Sequence, residues 1–173
     1  MKKFLAKIFA VTLIITLFAS SFISKTNAAT ELNDEKINLI SEHCSIIKDN
    51  IKTIQHEDSR AYDHLGGYYD AVLYNFITPL NLSLIKNNMP NTNLADNQAG
   101  FVTARTKFTS DYIKYQRDLE VLLSLDCTSE PVKFYDKLTT AREDRAKVAT
   151  DVSNLNSLLT KQQKLVTTLK ESL

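Results

Sequence analysis

The chain has 173 residues, and its 21 Lys+Arg against 20 Asp+Glu give a formal charge of +1. Four of the lysines, Lys2, Lys3, Lys7 and Lys25, lie in the first 28 residues, which contain no acid, so residues 29–173 carry 17 bases against 20 acids. That balance, with no run of Lys or Arg, argues against a nucleic-acid partner, and the length suits one domain with a sizeable core.

Residues 1–28 read as a signal peptide. Lys2, Lys3 and Lys7 form a positive start, Ile8 to Ile23 an apolar stretch, and Thr26-Asn27-Ala28 a small-residue approach to a cut after Ala28 or, alternatively, Ala29. The competing reading is an uncleaved anchor. The apolar stretch is interrupted by Thr12, Thr16, Ser20 and Ser21 and falls short of the roughly 20 residues that a spanning helix needs. No cysteine sits near the cut, which disfavours a lipid-anchored protein. Export and a single helical domain over 29–173 are therefore expected.

In chain order, Thr30 can cap a helix whose early turns hold Glu31, Asp34 and Glu35. Its seam runs Ile37, Ile40, Cys44, Ile47, Ile51 and Ile54, and continues less cleanly through Asp58, Ala61 and Leu65. Gly66-Gly67 weakens the helix without a proline or polar cluster behind it, so a kink or seam shift is expected there, not a turn. Pro79 is the stronger break. Leu80 to Lys86 can form a short extra helical segment, and Asn87 to Asn93 reads as loop. The next helix is expected from Asn93 or Asp96, with Phe101, Arg105, Phe108, Tyr112, Tyr115, Leu119 and Leu122 as its seam. After a break at Asp126 to Pro131, capped by Thr128 or Ser129, a terminal helix reaches Leu173. Its heptad seam includes Phe134, Leu138, Ala141, Arg145, Val148, Val152, Leu155, Leu159, Gln162, Val166 and Leu169. Arg145 and Gln162 are polar on that seam and are expected to fix register or reach the edge. The fold class is all-α.

Cys44 and Cys127 form an even pair in an exported chain and most simply close one disulfide. A disulfide requires alpha carbons within about 7 Å. If the first helix ran unbroken to Asn88 and the next descended from Asn97, Cys127 would face a residue near 58, roughly 20 Å from Cys44. The pair thus predicts a turn near Pro79 and an elongated three-helix, up-down-up bundle with coiled-coil-like packing.

Chemistry has few candidates. His56, Glu57, Asp58, Asp63 and His64 form a cluster in which imidazole and carboxylate could bind zinc or exchange protons, making a metal-dependent enzyme one reading. Neither HExxH nor Glu-x-x-His spacing is present, and a bundle site would need similar residues on a facing helix. A solvated, partly ion-paired face is the expected role. No G-x-S-x-G elbow, phosphate loop or CxxCH occurs, so no catalytic residue, metal or cofactor is assigned. The aromatics Tyr68, Tyr69, Tyr74, Phe76, Phe101, Phe108, Tyr112, Tyr115, Phe134 and Tyr135 fall at helical spacing and read as core, with an apolar-ligand pocket as the alternative. Leu158 and Leu165 widen the terminal stripe on one flank and mark a candidate interaction surface for a protein partner or for self-association.

The segments Glu42-His43-Cys44-Ser45-Ile46-Ile47-Lys48, Asn75-Phe76-Ile77-Thr78-Pro79-Leu80-Asn81 and Asp126-Cys127 resemble a group of small exported proteins from ultrasmall bacteria of the candidate phyla radiation. The resemblance covers most of residues 29–173 and carries no catalytic motif. It implies export and helices and transfers no active residue. The expected function is that of an exported, non-enzymatic structural or protein-interaction module of the cell envelope, with a carrier of a small apolar ligand as the alternative.

Overall fold

A computed structural model of the chain describes residues 33–171. The expected signal peptide, the cap at Thr30 and the terminal Leu173 lie outside the described residues. The described residues are all-α and contain no strand. Five α-helices are present: α1 (Asp34–Glu42), α2 (Cys44–Val72), α3 (Thr78–Lys86), α4 (Thr92–Ser124) and α5 (Pro131–Glu171). A π-helical segment, Leu73–Ile77, joins α2 to α3.

Helix α1 starts where Asn33 caps it: its side chain accepts from the Lys36 N–H at 3.0 Å, with Asp34 and Glu35 in the first turn. The chain departs from helical geometry only at His43, one residue before the disulfide. Helix α2 then runs through Gly66-Gly67 without a turn. Gly66 is buried, and a Cβ there would lie 3.1 Å from the Arg105 guanidinium, so the small residue makes room for a side chain of α4.

The expected turn at Pro79 is not found. Pro79 sits in the first turn of α3, where its missing N–H is tolerated, and the π-helical segment directly precedes it. The Thr78 N–H reaches back to the Leu73 carbonyl, a five-residue step. Inside an ordinary α-helix the proline ring would meet the carbonyl four residues earlier; the wider preceding turn eases that collision, and the helix passes on. The turn falls at Asn87–Asn91 instead, with Asn88 in the left-handed region at φ 53°, a conformation asparagine tolerates well.

The Cys44–Cys127 bond nevertheless closes, with alpha carbons 5.4 Å apart. The sequence-based register failed because α4 begins at Thr92, not near Asn97, and its first turns pack back onto α3: the Asn81 amide donates to the Leu94 carbonyl at 3.2 Å and to Gln98 at 2.6 Å. Asp70 then meets Arg105, Asp58 meets Tyr115, and Gln55 meets Gln116, which leaves Cys127 level with Cys44. No break at Pro79 is required.

Two apolar clusters fill the interior. One gathers Ile51, Tyr112, Tyr115, Leu119, Leu122, Cys127, Phe134 and Ala141, with Ile40, Cys44 and Ile47 against it. The other gathers Tyr69, Leu73, Ile77, Phe101, Ala104, Phe108 and Leu155. The α4 seam is as expected, buried throughout except for half-buried Arg105. On α2 the seam holds at Asp58 and Leu65 but slips by one residue at two places: Ile54, 42% exposed, and Ala61 face solvent, whereas Gln55 and Tyr62 turn inward. A straight helix drifts about 20° per heptad against a strict seven-residue repeat, so one stripe cannot stay inward over this length.

Beyond α4, Leu125 is extended and Asp126 organises the turn. Its carboxylate accepts from the Thr128 N–H at 2.9 Å and the Ser129 hydroxyl at 2.8 Å. Thr128 and Ser129, expected to cap α5, therefore donate to Asp126. The disulfide closes a loop with a sequence separation of 83. Replacing Cys44 and Cys127 by serine is expected to lower the unfolding free energy by roughly 2–4 kcal/mol in urea titrations, while thiol titration of the denatured oxidised protein finds no free sulfhydryl.

Candidate functional site

The most highly connected polar site joins three helices at one level. Asp58 on α2 accepts two hydrogen bonds from Arg145 on α5, from Nε at 2.7 Å and Nη2 at 2.8 Å, and a third from the Tyr115 hydroxyl on α4 at 2.6 Å. The geometry is the forked guanidinium–carboxylate pairing that fixes both position and angle. Burial, with the neighbouring Asp58 carboxylate, holds the Tyr115 phenol well above its ordinary range, and Asp58 raises Arg145 further. The phenol remains a donor and the guanidinium a cation at any physiological pH.

This junction brings together two separate sequence expectations. Asp58 belongs to the His56–His64 cluster, and Arg145 is the polar residue on the terminal seam. The rest of the cluster does not converge: His56, Glu57, Asp63 and His64 are exposed, and Glu57 lies 3.7 Å from Arg60 on its own helix. Among the described residues no group of three or more His, Cys, Asp or Glu side chains could hold a metal ion. Gln162, the other polar seam residue, is buried and accepts from the Asn97 amide at 2.8 Å, joining α5 to α4. Both polar seam residues thus make cross-helix bonds that fix register.

Aromatic rings fill the space between α2 and α4. Tyr62 stacks on Tyr112 with centroids 3.7 Å apart and planes within 5°, and contacts Phe108 at 5.2 Å. Tyr69 is fully buried, meets Phe101 and Phe108 edge-on at 6.0 Å, and donates to Asn156 of α5 at 3.2 Å. Arg105 crosses the same interface to fork onto Asp70 at 2.9 and 3.0 Å.

Helices α4 and α5 are joined by a charge ladder with a seven-residue repeat that sequence reading missed. Lys107 donates to Asp111 on its own helix at 2.5 Å and to Asp151 on α5 at 2.8 Å. One heptad later Lys114 donates to Asp118 at 2.8 Å and to Asp144. The two helices therefore run antiparallel in fixed register. Asp144 and Asp151 are only 2% and 4% exposed, among the few charged side chains in the interior. The signal was present as Lys107/Lys114, Asp111/Asp118 and Asp144/Asp151, three pairs at heptad spacing. These residues lie beside the apolar stripe and not on it, so apolar periodicity carries no trace of them.

The two rungs differ in one respect. Lys147 also donates to Asp144, at 2.7 Å, whereas Asn154 stands at the equivalent place beside Asp151. Burial pushes Asp144 up, but Lys114 and Lys147 outweigh it and hold the carboxyl down at about 2. For Asp151 burial wins over Lys107, Asp111 adds to it, and the carboxyl is raised; its Oδ2 is buried without a partner.

The expected interaction flank is partly occupied by the chain itself. Leu158 is half-buried against the Tyr69–Phe101 cluster, and its Cδ2 lies 3.6 Å from where a Cβ on Gly100 would be. Leu165 is half-buried as well. The two best-formed concavities lie on the outside, one on α4 at Arg105, Thr109, Ile113 and Arg117, the other on α5 at Thr160, Lys164 and Thr167. Both are open grooves. No family model, curated protein or solved structure matches the chain.

The ladder gives a signed pH dependence. Ionised Asp144 stabilises the fold fully above the unfolded-chain carboxyl range, near pH 4, and that contribution is lost as pH falls towards about 2. Asp151, raised in the fold, does the opposite: its contribution declines as pH rises through the interval between its unfolded and folded values. Asp144→Asn should cost about 2 kcal/mol in chemical denaturation at pH 7 and almost nothing at pH 2. Asp151→Asn should cost less at pH 7, and Asn154→Lys should lower the Asp151 titration midpoint in carboxyl-detected NMR.

Proposed function

We propose that this is an exported, non-enzymatic helical protein serving as a structural or protein-interaction module of the cell envelope. Its long helices act as an elongated up-down-up three-helix bundle with coiled-coil-like heptad packing. One observation carries the reading: the polar groups at the helix interfaces are largely engaged with one another. Asp58 is held by Arg145 and Tyr115, Asp70 by Arg105, and Asp144 by two lysines, so charges that could serve chemistry are used to hold register. Support for export comes from the disulfide, which suits an oxidising compartment.

The alternative, a carrier of a small apolar ligand between helices, has less support. The aromatic residues that would line such a pocket, Tyr62, Tyr69, Phe101, Phe108 and Tyr112, pack on one another. An enzyme using His56 and His64 would need partners that α4 and α5 do not bring to them among the described residues.

The reading is tested by expressing the full chain in a bacterial host and analysing the exported fraction. N-terminal sequencing is expected to begin at Ala29, and native mass spectrometry to give the mass of the polypeptide alone. Retention of the whole chain in the cytoplasm, or a stoichiometric bound small molecule, would overturn it.

A further inference from the structure

Charge is distributed unevenly along the molecule. The chain is 24% charged, yet between Asp70 and Asp96 the only charged side chain is Lys86. Between Asp151 and Glu171 the only ones are Lys161, Lys164 and Lys170. The fold places these two stretches at one end. Asn81 binds Leu94 and Gln98, which sets α3 against the start of α4; Asn97 binds the Leu158 carbonyl at 3.1 Å and Gln162 at 2.8 Å, which sets the last turns of α5 against the same place. The end built from the π-helical segment, α3, the Asn87–Asn91 turn, the first turns of α4 and the C-terminal part of α5 therefore carries four exposed lysines against two carboxylates, Asp96 and Glu171.

The same end displays large apolar side chains to solvent. Tyr74 is 65% exposed, Leu82 and Ile85 60% each, and Phe76 55%. Tyr74, Leu82 and Ile85 recur at steps of eight and three, a spacing that keeps them on one side of the helix. Their neighbours Leu73, Ile77, Asn81 and Leu84 are the buried ones, so the core is already satisfied without the exposed set. Most exposed apolar residues elsewhere stand among charges of both signs. Ile113 at 51%, for example, lies beside Lys114, with Asp111 and Arg117 close by in sequence.

We propose that this end is a docking surface for an anionic lipid bilayer, with Tyr74, Leu82 and Ile85 entering the headgroup–acyl boundary and Lys86, Lys161, Lys164 and Lys170 meeting lipid phosphates. Apolar side chains, a tyrosine and an excess of lysines over carboxylates are together what an anionic interface selects. No helix among the described residues is long and apolar enough to cross a membrane, so the contact is peripheral. This inference rests on the envelope reading above and names the surface that reading left open.

The test is co-sedimentation of the exported, processed protein with vesicles of phosphatidylglycerol and phosphatidylcholine at low and high salt. Wild type, Leu82→Asp/Ile85→Asp and a control Ile113→Asp are compared, all sharing the same N-terminal residues and checked for equal helical circular dichroism and thermal unfolding. Binding to anionic vesicles is expected to fall at least about tenfold in the double variant, to be unchanged in the control, and to weaken as salt rises. The chain has no tryptophan, so Tyr74→Trp supplies a single reporter whose emission should shift to the blue on phosphatidylglycerol vesicles alone. Equal binding by all variants, no binding by any, or a double variant that only turns a lipid-free oligomer into monomer would overturn the proposal. None of those results bears on the N-terminus or mass of the exported chain, so the envelope reading stands or falls separately.

Discussion

The structure depends on Asp58. Its carboxylate touches both other long helices, taking a forked pair from Arg145 of α5 and the hydroxyl of Tyr115 on α4. Removing one member of such a junction takes a hydrogen bond from each of the others in a half-buried setting, a larger loss than the attraction itself is worth. Above Asp58 lies the aromatic layer, Tyr62 stacked on Tyr112 and Tyr69 edge-on to Phe101 and Phe108. The disulfide below it falls at the same level on α2 and α4.

Apolar seams alone do not choose a register, because a leucine or isoleucine stripe packs nearly as well after a slip of one heptad. The charges make that slip costly. Moving α5 by seven residues against α4 would still set one lysine against an aspartate, since the ladder itself repeats every seven residues. It would, however, leave the second rung unmatched and separate Gln162 from Asn97 and Arg145 from Asp58. The non-repeating contacts therefore break the degeneracy that the repeating ones allow, the role polar residues at seam positions are best known for.

Much of this was legible in the sequence. The helices, the buried seam of α4, the disulfide and the structural use of Arg145 and Gln162 follow from periodicity and cysteine count. Pro79 misled, because a proline's effect depends on whether the preceding turn can widen, and nothing local in Asn75-Phe76-Ile77-Thr78 announces a π-helical segment. The register of α2 against α4 was lost with it, since that register is set by the short Asn87–Asn91 turn and by Asn81, a residue with no periodic signature. The Lys–Asp ladder was readable but lies beside the apolar stripe, and a search for apolar spacing passes over it. Charged residues at seven-residue spacing on two helices merit the same attention as leucines.

The central claim is that Asp58 and Arg145 hold the long helices together by direct pairing. A double-mutant cycle of Asp58→Asn and Arg145→Met, followed by urea unfolding of the oxidised protein at pH 7, measures that pairing most directly. A coupling energy above about 1 kcal/mol, falling only modestly in high salt because the pair is partly buried, is the predicted result. Additive effects of the two substitutions would contradict it.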